Sequence, residues 1–125
     1  MIPVPYVPEQ HFEPVKAWLR HWNQDMTPDM LPQTGFIVPG KAVAFLYRTD
    51  SALVWIENVV AAPGLPKEER SQAVDAVIAA CCVEAARLGF KLALGYTVLD
   101  AMVKRVERMG FFQVASGFHL VAMKL

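Results

Sequence analysis

The stretch from Leu53 to Phe111 limits what this chain can fold into more than any other part, because strand and helix patterns alternate along it. An apolar run from Leu53 to Ala61 predicts a strand, and a turn rich in proline and glycine follows it. Helical spacing of apolar residues then predicts a helix from about Glu68 to Leu88. A second strand, Lys91 to Thr97, and a second helix, Leu99 to Met109, complete the stretch.

The order strand, helix, strand predicts a right-handed crossover, so we expect Leu53–Ala61 to lie parallel to Lys91–Thr97. We also expect the two strands to diverge at their C-terminal ends. Each helix is followed by a Gly-Phe pair, and Gly89 and Gly110 are natural helix stops.

The flanking segments predict a mixed α/β fold whose central mixed sheet has about six to seven strands, with helices on both faces. The length of 125 residues is typical of one domain, which we place at residues 1–125. The additional elements are an edge strand at Ile2–Val7, a helix at Glu13–Trp22 with Pro14 in its first turn, strands at Phe36–Val38 and Lys41–Arg48, and a closing hairpin of Phe111–Ala115 with His119–Leu125.

Charge and composition exclude several classes of function. The chain has 12 basic and 12 acidic residues, and this balance argues against tight nucleic-acid binding. No stretch reaches the roughly 20 apolar residues of a membrane span, and the N-terminus lacks the pattern of a signal peptide. Cys81 and Cys82 are neighbours on a helix and point apart, which predicts two core thiols, no disulfide and a cytoplasmic setting. A homodimer is compatible with this sequence.

The order of elements from Leu53 to Phe111, with its two Gly-Phe helix ends, resembles the core of the GCN5-related N-acetyltransferase (GNAT) superfamily. The resemblance implies an acyl-CoA-dependent N-acyltransferase, with acetyl-CoA or another acyl-CoA as co-substrate and an amine as acceptor. In that family a Gln/Arg-x-x-Gly-x-Gly/Ala turn binds the pyrophosphate, and the preceding strand pairs with the pantetheine arm. The matching positions here are Lys67, Arg70, Ser71, Gln72 and Ala73 for the pyrophosphate, and Val59, Val60 and Ala61 for pantetheine.

This chain departs from the family turn at two positions. Ala73 stands where the family has its first glycine, and Asp75 stands where it has a small residue. An aspartate near a helix start stabilises the helix but repels a pyrophosphate that it faces. An ordinary helix start, with Glu68 and Glu69 compensating the helix dipole, therefore remains an alternative interpretation.

Glu57 is the candidate general base. It is a carboxylate on an otherwise apolar strand, and burial would raise its pKa toward the working pH. The resemblance places such a carboxylate beside the thioester, where it deprotonates the amine. The alternative is that Glu57 faces solvent on the opposite side of the strand from Ile56.

The family's general acid is often a tyrosine four residues before the second Gly-Phe, and here that position is Val106. Tyr96, on the strand before that helix, is the candidate substitute, with a structural tyrosine as the alternative. Trp18, Trp22 and Met26 could line an acceptor pocket or pack in the core. The three histidines show no metal-ligand spacing, so we expect no metal site.

Three functions remain open at this point. An N-acyltransferase whose amine attacks the thioester directly in a ternary complex is the leading one. The changed glycines, the missing tyrosine and Asp75 favour a GNAT-like binding or assembly module without catalysis. A nucleic-acid-modifying acyltransferase, as some phages encode, is disfavoured by the neutral charge.

Overall fold

In the computed structural model, which describes residues 1–125, five strands form one sheet in the order β1-β2-β3-β4-β5. The first four strands are antiparallel and β5 is parallel to β4. The mixed α/β fold is confirmed, with five strands instead of six to seven. The elements are β1 (Val4–Pro5), α1 (Pro8–His21), a 3-10 turn (Pro28–Met30), β2 (Gly35–Val38), β3 (Ala42–Arg48), β4 (Leu53–Ala61), α2 (Lys67–Arg87), β5 (Leu92–Leu94) and α3 (Asp100–Arg108).

The central strand β3 separates two layers of core, because successive side chains point to opposite faces of a sheet. Val43 and Phe45 are fully buried on the face covered by α1. Ala42, Ala44 and Leu46 are fully buried on the opposite face, where α2 packs and α3 lies against the edge of the cluster. Helices therefore cover both faces, as the alternation in this strand predicts.

Helices α2 and α3 both end at the predicted glycines. Gly89 and Gly110 adopt φ values of +93° and +102°, which only glycine reaches at little cost. The amide of the following phenylalanine then donates back into the last turn, from Phe90 to the Ala85 carbonyl at 3.1 Å and from Phe111 to the Val106 carbonyl at 2.9 Å.

The predicted start of α1 is wrong, because the helix begins at Pro8 and not at Glu13. Proline is well tolerated in the first turn of a helix, where its missing N–H would have no partner. The Val7 amide, a further N–H group at this end of the helix, donates to His11 Nδ1 at 2.9 Å. Pro14 lies inside the helix instead of starting it.

The predicted closing hairpin does not form. Residues 112–125 contain no strand, and their side chains are exposed. A strand needs a neighbour that supplies a ladder of hydrogen bonds, and the adjacent edge strand, β5, is three residues long. This segment therefore has an alternating sequence pattern but only a short strand edge with which it could pair.

None of the helices has the length and apolar character that crossing a membrane requires.

Candidate active site where β4 and β5 part

The parallel pairing covers all of β5 but only the first three residues of β4. Leu53, Val54 and Trp55 lie opposite Leu92, Ala93 and Leu94, and β4 then continues to Ala61 with no strand on that side. Gly95 follows the last paired residue, and a Cβ added there would lie 3.0 Å from the Ile56 carbonyl oxygen. The predicted parallel pairing is confirmed, and an open backbone edge of β4 begins at its end.

A bulge in β4 places two polar side chains on the same face. Phe45 lies opposite Glu57 and Val43 opposite Val60, so β4 has one more residue than β3 in this interval. Asn58 absorbs the extra residue with a φ of +52°, a left-handed conformation in which asparagine is enriched. Before the bulge, Val54 and Ile56 of β4 face α2. After the bulge, Val59 and Ala61 face α2.

Glu57 is half-buried on the α1 side of the sheet. Its Oε1 accepts a hydrogen bond from the Tyr96 amide at 2.7 Å. Burial raises the pKa of Glu57 above its ordinary value, and the hydrogen bond from the Tyr96 amide opposes this effect. A carboxylate whose pKa is raised and whose position is held by a backbone amide is suited to accept a proton near neutral pH.

Tyr96 and Trp55 form the aromatic wall beside this carboxylate. The two rings are stacked with their centroids 4.9 Å apart and an interplanar angle of 25°. Tyr96 is 56% exposed, so this wall is open to solvent on one side. Val106, at the position of the family's tyrosine, packs instead against the core on the α2 side.

A chain of hydrogen bonds lies on the same face and was not predicted from the sequence. The Tyr47 hydroxyl donates to Asn58 Oδ1, and Asn58 Nδ2 donates to Gln24 Oε1 at 3.0 Å. Asn58 beside Glu57 in an apolar strand is the signal that could have indicated a bulge. Of the residues considered for an acceptor pocket, Trp18 is buried, Trp22 is 57% exposed, and Met26 packs against the core below α1.

The start of α2 carries the predicted cations. Lys67 and Arg70 are both exposed, and Lys67 is the first helical residue. The Arg70 amide donates to the Pro66 carbonyl at 2.9 Å, so the regular hydrogen bonds of the helix begin at this residue. Glu69 forms an ion pair with Lys41 at 2.9 Å, which offsets its charge at the helix start.

The other residues of the matched turn lie further along α2. Arg105 Nη1 donates to the Ser71 carbonyl at 3.1 Å, to Ser71 Oγ at 2.9 Å and to Asp75 Oδ1 at 2.7 Å. Ala73 is fully buried in the core. Gln72 is exposed and lines an open cavity of about 480 Å³ together with Asp75. The aspartate that departs from the family pattern is therefore paired with a cation.

Comparison with solved structures identifies the fold. A protein of Agrobacterium tumefaciens str. C58, whose name describes it as a putative acetyltransferase, superposes with a TM-score of 0.74 over 98% of this chain and 100% of that chain, at 17% identity. A Trypanosoma brucei acetyltransferase gives 0.70 over 96% and 98%, at 13% identity. A GNAT family acetyltransferase from Streptococcus pneumoniae TIGR4 gives 0.64 over 98% and 100%, at 11% identity.

No family model matches the sequence, and no curated protein matches it. The chain has the fold of a GCN5-related N-acetyltransferase, and its sequence is 11–17% identical to the three proteins compared. Fold alone does not assign chemistry, so the function has to be argued from the site itself.

Proposed function

We propose that this chain is an acyl-CoA-dependent N-acyltransferase that transfers an acyl group, by preference acetyl, to an amine by direct attack in a ternary complex. The observation that carries the proposal is Glu57, a half-buried carboxylate of raised pKa at the point where two parallel strands part. Acetyltransferase names among proteins of the same fold support the reaction class.

The open edge of β4 fits an extended pantetheine arm. Beyond Trp55 this edge has no strand partner, so backbone groups of Val59, Val60 and Ala61 can pair with amide groups of a ligand in the manner of an added strand. A backbone N–H near Val60 would also stabilise the oxyanion that forms on the thioester carbonyl.

The start of α2 fits the pyrophosphate. The first helical N–H groups have no partner in the helix, and the helix dipole favours an anion there. Lys67 and Arg70 add two cations, and Lys41 offsets Glu69. We retain Ser71, Gln72 and Ala73 as predicted cofactor residues, although Arg105 already engages Ser71 and Ala73 is buried. The contacts of Lys67 and Arg70 are therefore expected to dominate.

Glu57 and Tyr96 have complementary roles in the proposed reaction. Glu57 takes a proton from the amine as the nitrogen lone pair attacks the thioester carbon. The new C–N bond forms, the C–S bond breaks, and the Tyr96 hydroxyl protonates the departing thiolate. A lysine-like amine has a pKa of about 10.4, so it is mostly protonated near neutral pH and a base is useful.

Two measurements test this function. Calorimetric titration with acetyl-CoA should show binding, and removal of the charge at Lys67 or Arg70 should weaken it by roughly 1–3 kcal/mol each. Glu57→Gln should lower turnover by roughly 100-fold or more while acetyl-CoA affinity stays nearly unchanged. Full turnover by Glu57→Gln across the pH range would exclude the base role.

A second candidate is a GNAT-like binding module without catalysis. Val106, which packs against the core at the position where the family has its acid, favours it. The two candidates differ in one readout, because the module would bind acetyl-CoA or a partner and release no free CoA with any amine.

A further inference from the structure

The hydrogen-bond chain from Tyr47 to Gln24 has a single direction. The Tyr47 hydroxyl donates to Asn58, and the Asn58 amide donates to Gln24. Both polar atoms of the Asn58 side chain therefore take part in this chain. Because the Tyr47 hydroxyl donates its proton to Asn58, the lone pairs of the Tyr47 oxygen remain at this end of the chain. They can accept a hydrogen bond.

The Tyr47 oxygen belongs to the same site as the Glu57 carboxylate. Tyr47 lies opposite Trp55 and Phe45 lies opposite Glu57, so Tyr47 and Glu57 are diagonal neighbours on one face of the β3–β4 pair. Such neighbours lie about 7–8 Å apart at the backbone, within reach of aromatic and long side chains. Burial raises the pKa of Tyr47, and the nearby charge of Glu57 raises it further, so the phenol stays neutral.

We propose that the Tyr47 oxygen and the Glu57 carboxylate together bind the N–H groups of the acceptor amine, with Asn58 and Gln24 as positioning residues. This inference rests on the proposed function and adds a specificity-determining residue to it. Two converging hydrogen-bond acceptors suit a nitrogen that carries at least two N–H groups. A neutral primary amine gives one N–H to each acceptor, whereas a secondary amine or a hydroxyl satisfies only one of them.

The bulge explains how the chain is held. With its left-handed φ, Asn58 directs its side chain to Tyr47 on β3 and to Gln24, which is 34 positions earlier. Glycine adopts the same backbone conformation without strain. Asn58→Gly therefore removes the amide and keeps the bulge, which separates the positioning role of the side chain from the geometry of the backbone.

The kinetic test compares Tyr47→Phe with Tyr6→Phe, a buried tyrosine outside the site. Acetyl-CoA is the donor, and n-butylamine and N-methylbutylamine are the acceptors. Tyr47→Phe should raise KM for n-butylamine about tenfold, the upper range for one lost hydrogen bond, and change KM for N-methylbutylamine much less. Acetyl-CoA affinity should not change. Asn58→Gly should shift KM in the same direction, and Tyr6→Phe should match the unsubstituted protein.

A second readout needs no turnover. The protein has three tyrosines, so ¹³Cζ-labelled tyrosine gives three signals that the Tyr→Phe variants assign. Titration with n-butylamine should shift the Tyr47 signal and leave the Tyr6 signal in place. An unmoved Tyr47 signal, or equal KM values in Tyr47→Phe and the unsubstituted protein, overturns the inference and leaves the proposed function standing. An unsubstituted protein that neither binds acetyl-CoA nor releases CoA overturns both.

Discussion

Two regions of this molecule differ sharply in how they are packed. All 23 buried residues lie between Tyr6 and Ala85, and none of the 40 residues from 86 to 125 is buried. In the first region, α1 and α2 cover both faces of β2, β3 and β4. In the second region, a three-residue strand and a nine-residue helix lie against the edge of that core.

The proposed site lies on the boundary between these regions. Glu57, Asn58 and Tyr47 project from the packed strands, whereas Tyr96 belongs to the outer region and reaches Glu57 through its backbone amide. Groups on packed strands are held more precisely than groups on loosely held segments. The comparison therefore indicates a rigidly held Glu57 carboxylate and a more easily displaced Tyr96 ring.

The largest expected effect comes from matched truncations in the two regions. Phe45 is fully buried and makes an edge-to-face contact with Tyr6 at 4.8 Å, so Phe45→Ala should lower the free energy of unfolding by about 3–5 kcal/mol. Met102 on α3 is only half-buried against the core, and Met102→Ala should cost about 1 kcal/mol. Urea denaturation measures both, and equal costs would break the comparison.

The sequence predicts those parts of this contrast that depend on local signals such as turn residues and apolar runs. The bounds of β4 are predicted to the residue, because its apolar run ends at strong turn residues on both sides. Proline occurs at the first position of a helix, as Pro8 does here, and also further inside it, as Pro14 does. The sequence therefore predicts a start near Pro14, whereas the helix begins at Pro8. The alternation after Gly110 predicted strands, but alternation does not show whether a neighbouring edge is long enough to pair with them.

Local sequence signals also account for part of the proposed site. Glu57 stands out as a charge in an apolar strand, and local sequence is enough to find it. The contact of Asn58 with Gln24 and that of Arg105 with Asp75 join residues about 30 positions apart. No spacing rule connects such residues, because the fold and the bulge bring them together.

The next effect in size concerns the attachment of the outer region. Arg105 is a polar link from α3 to α2 through Ser71 and Asp75. Its side chain is 20% exposed, and that of Asp75 is 48% exposed. Arg105→Ala should lower the free energy of unfolding by about 1 kcal/mol, because solvent screens a partly exposed pair. Amide hydrogen exchange should quicken in α3 and stay unchanged in β3. Arg108→Ala, an exposed change on the same helix, is the control, and equal exchange in both variants would contradict the attachment.

A smaller effect, with a definite sign, comes from Glu57 at the boundary. Its pKa is raised in the folded protein, so its protonated form stabilises the fold, fully at pH values below the unfolded pKa of about 4.3. This contribution is lost as the pH rises through the folded pKa. Glu57→Gln keeps an acceptor for the Tyr96 amide and has no charge, so it should be modestly more stable than the unsubstituted protein at pH 7. The gain should vanish below about pH 4, as followed by thermal unfolding. A variant less stable at pH 7 would show that the ionised carboxylate is well solvated or paired.

The smallest expected effect is deletion of residues 112–125. This segment makes no backbone hydrogen bond outside its own residues, and its large apolar side chains are exposed, with Leu120 at 95% and Val121 at 86%. One ring contact, between Phe118 and Tyr96 at 5.9 Å, joins it to the site. Deletion should therefore change the free energy of unfolding by less than about 0.5 kcal/mol, as surface changes usually do. It should also raise solubility, because exposed apolar side chains promote association. Phe118→Ala in the full-length chain is the control, since it removes the ring contact alone. A loss of several kcal/mol on deletion, with little change in Phe118→Ala, would mean that the segment pairs with the edge of β5, and the contrast between the two regions would then disappear.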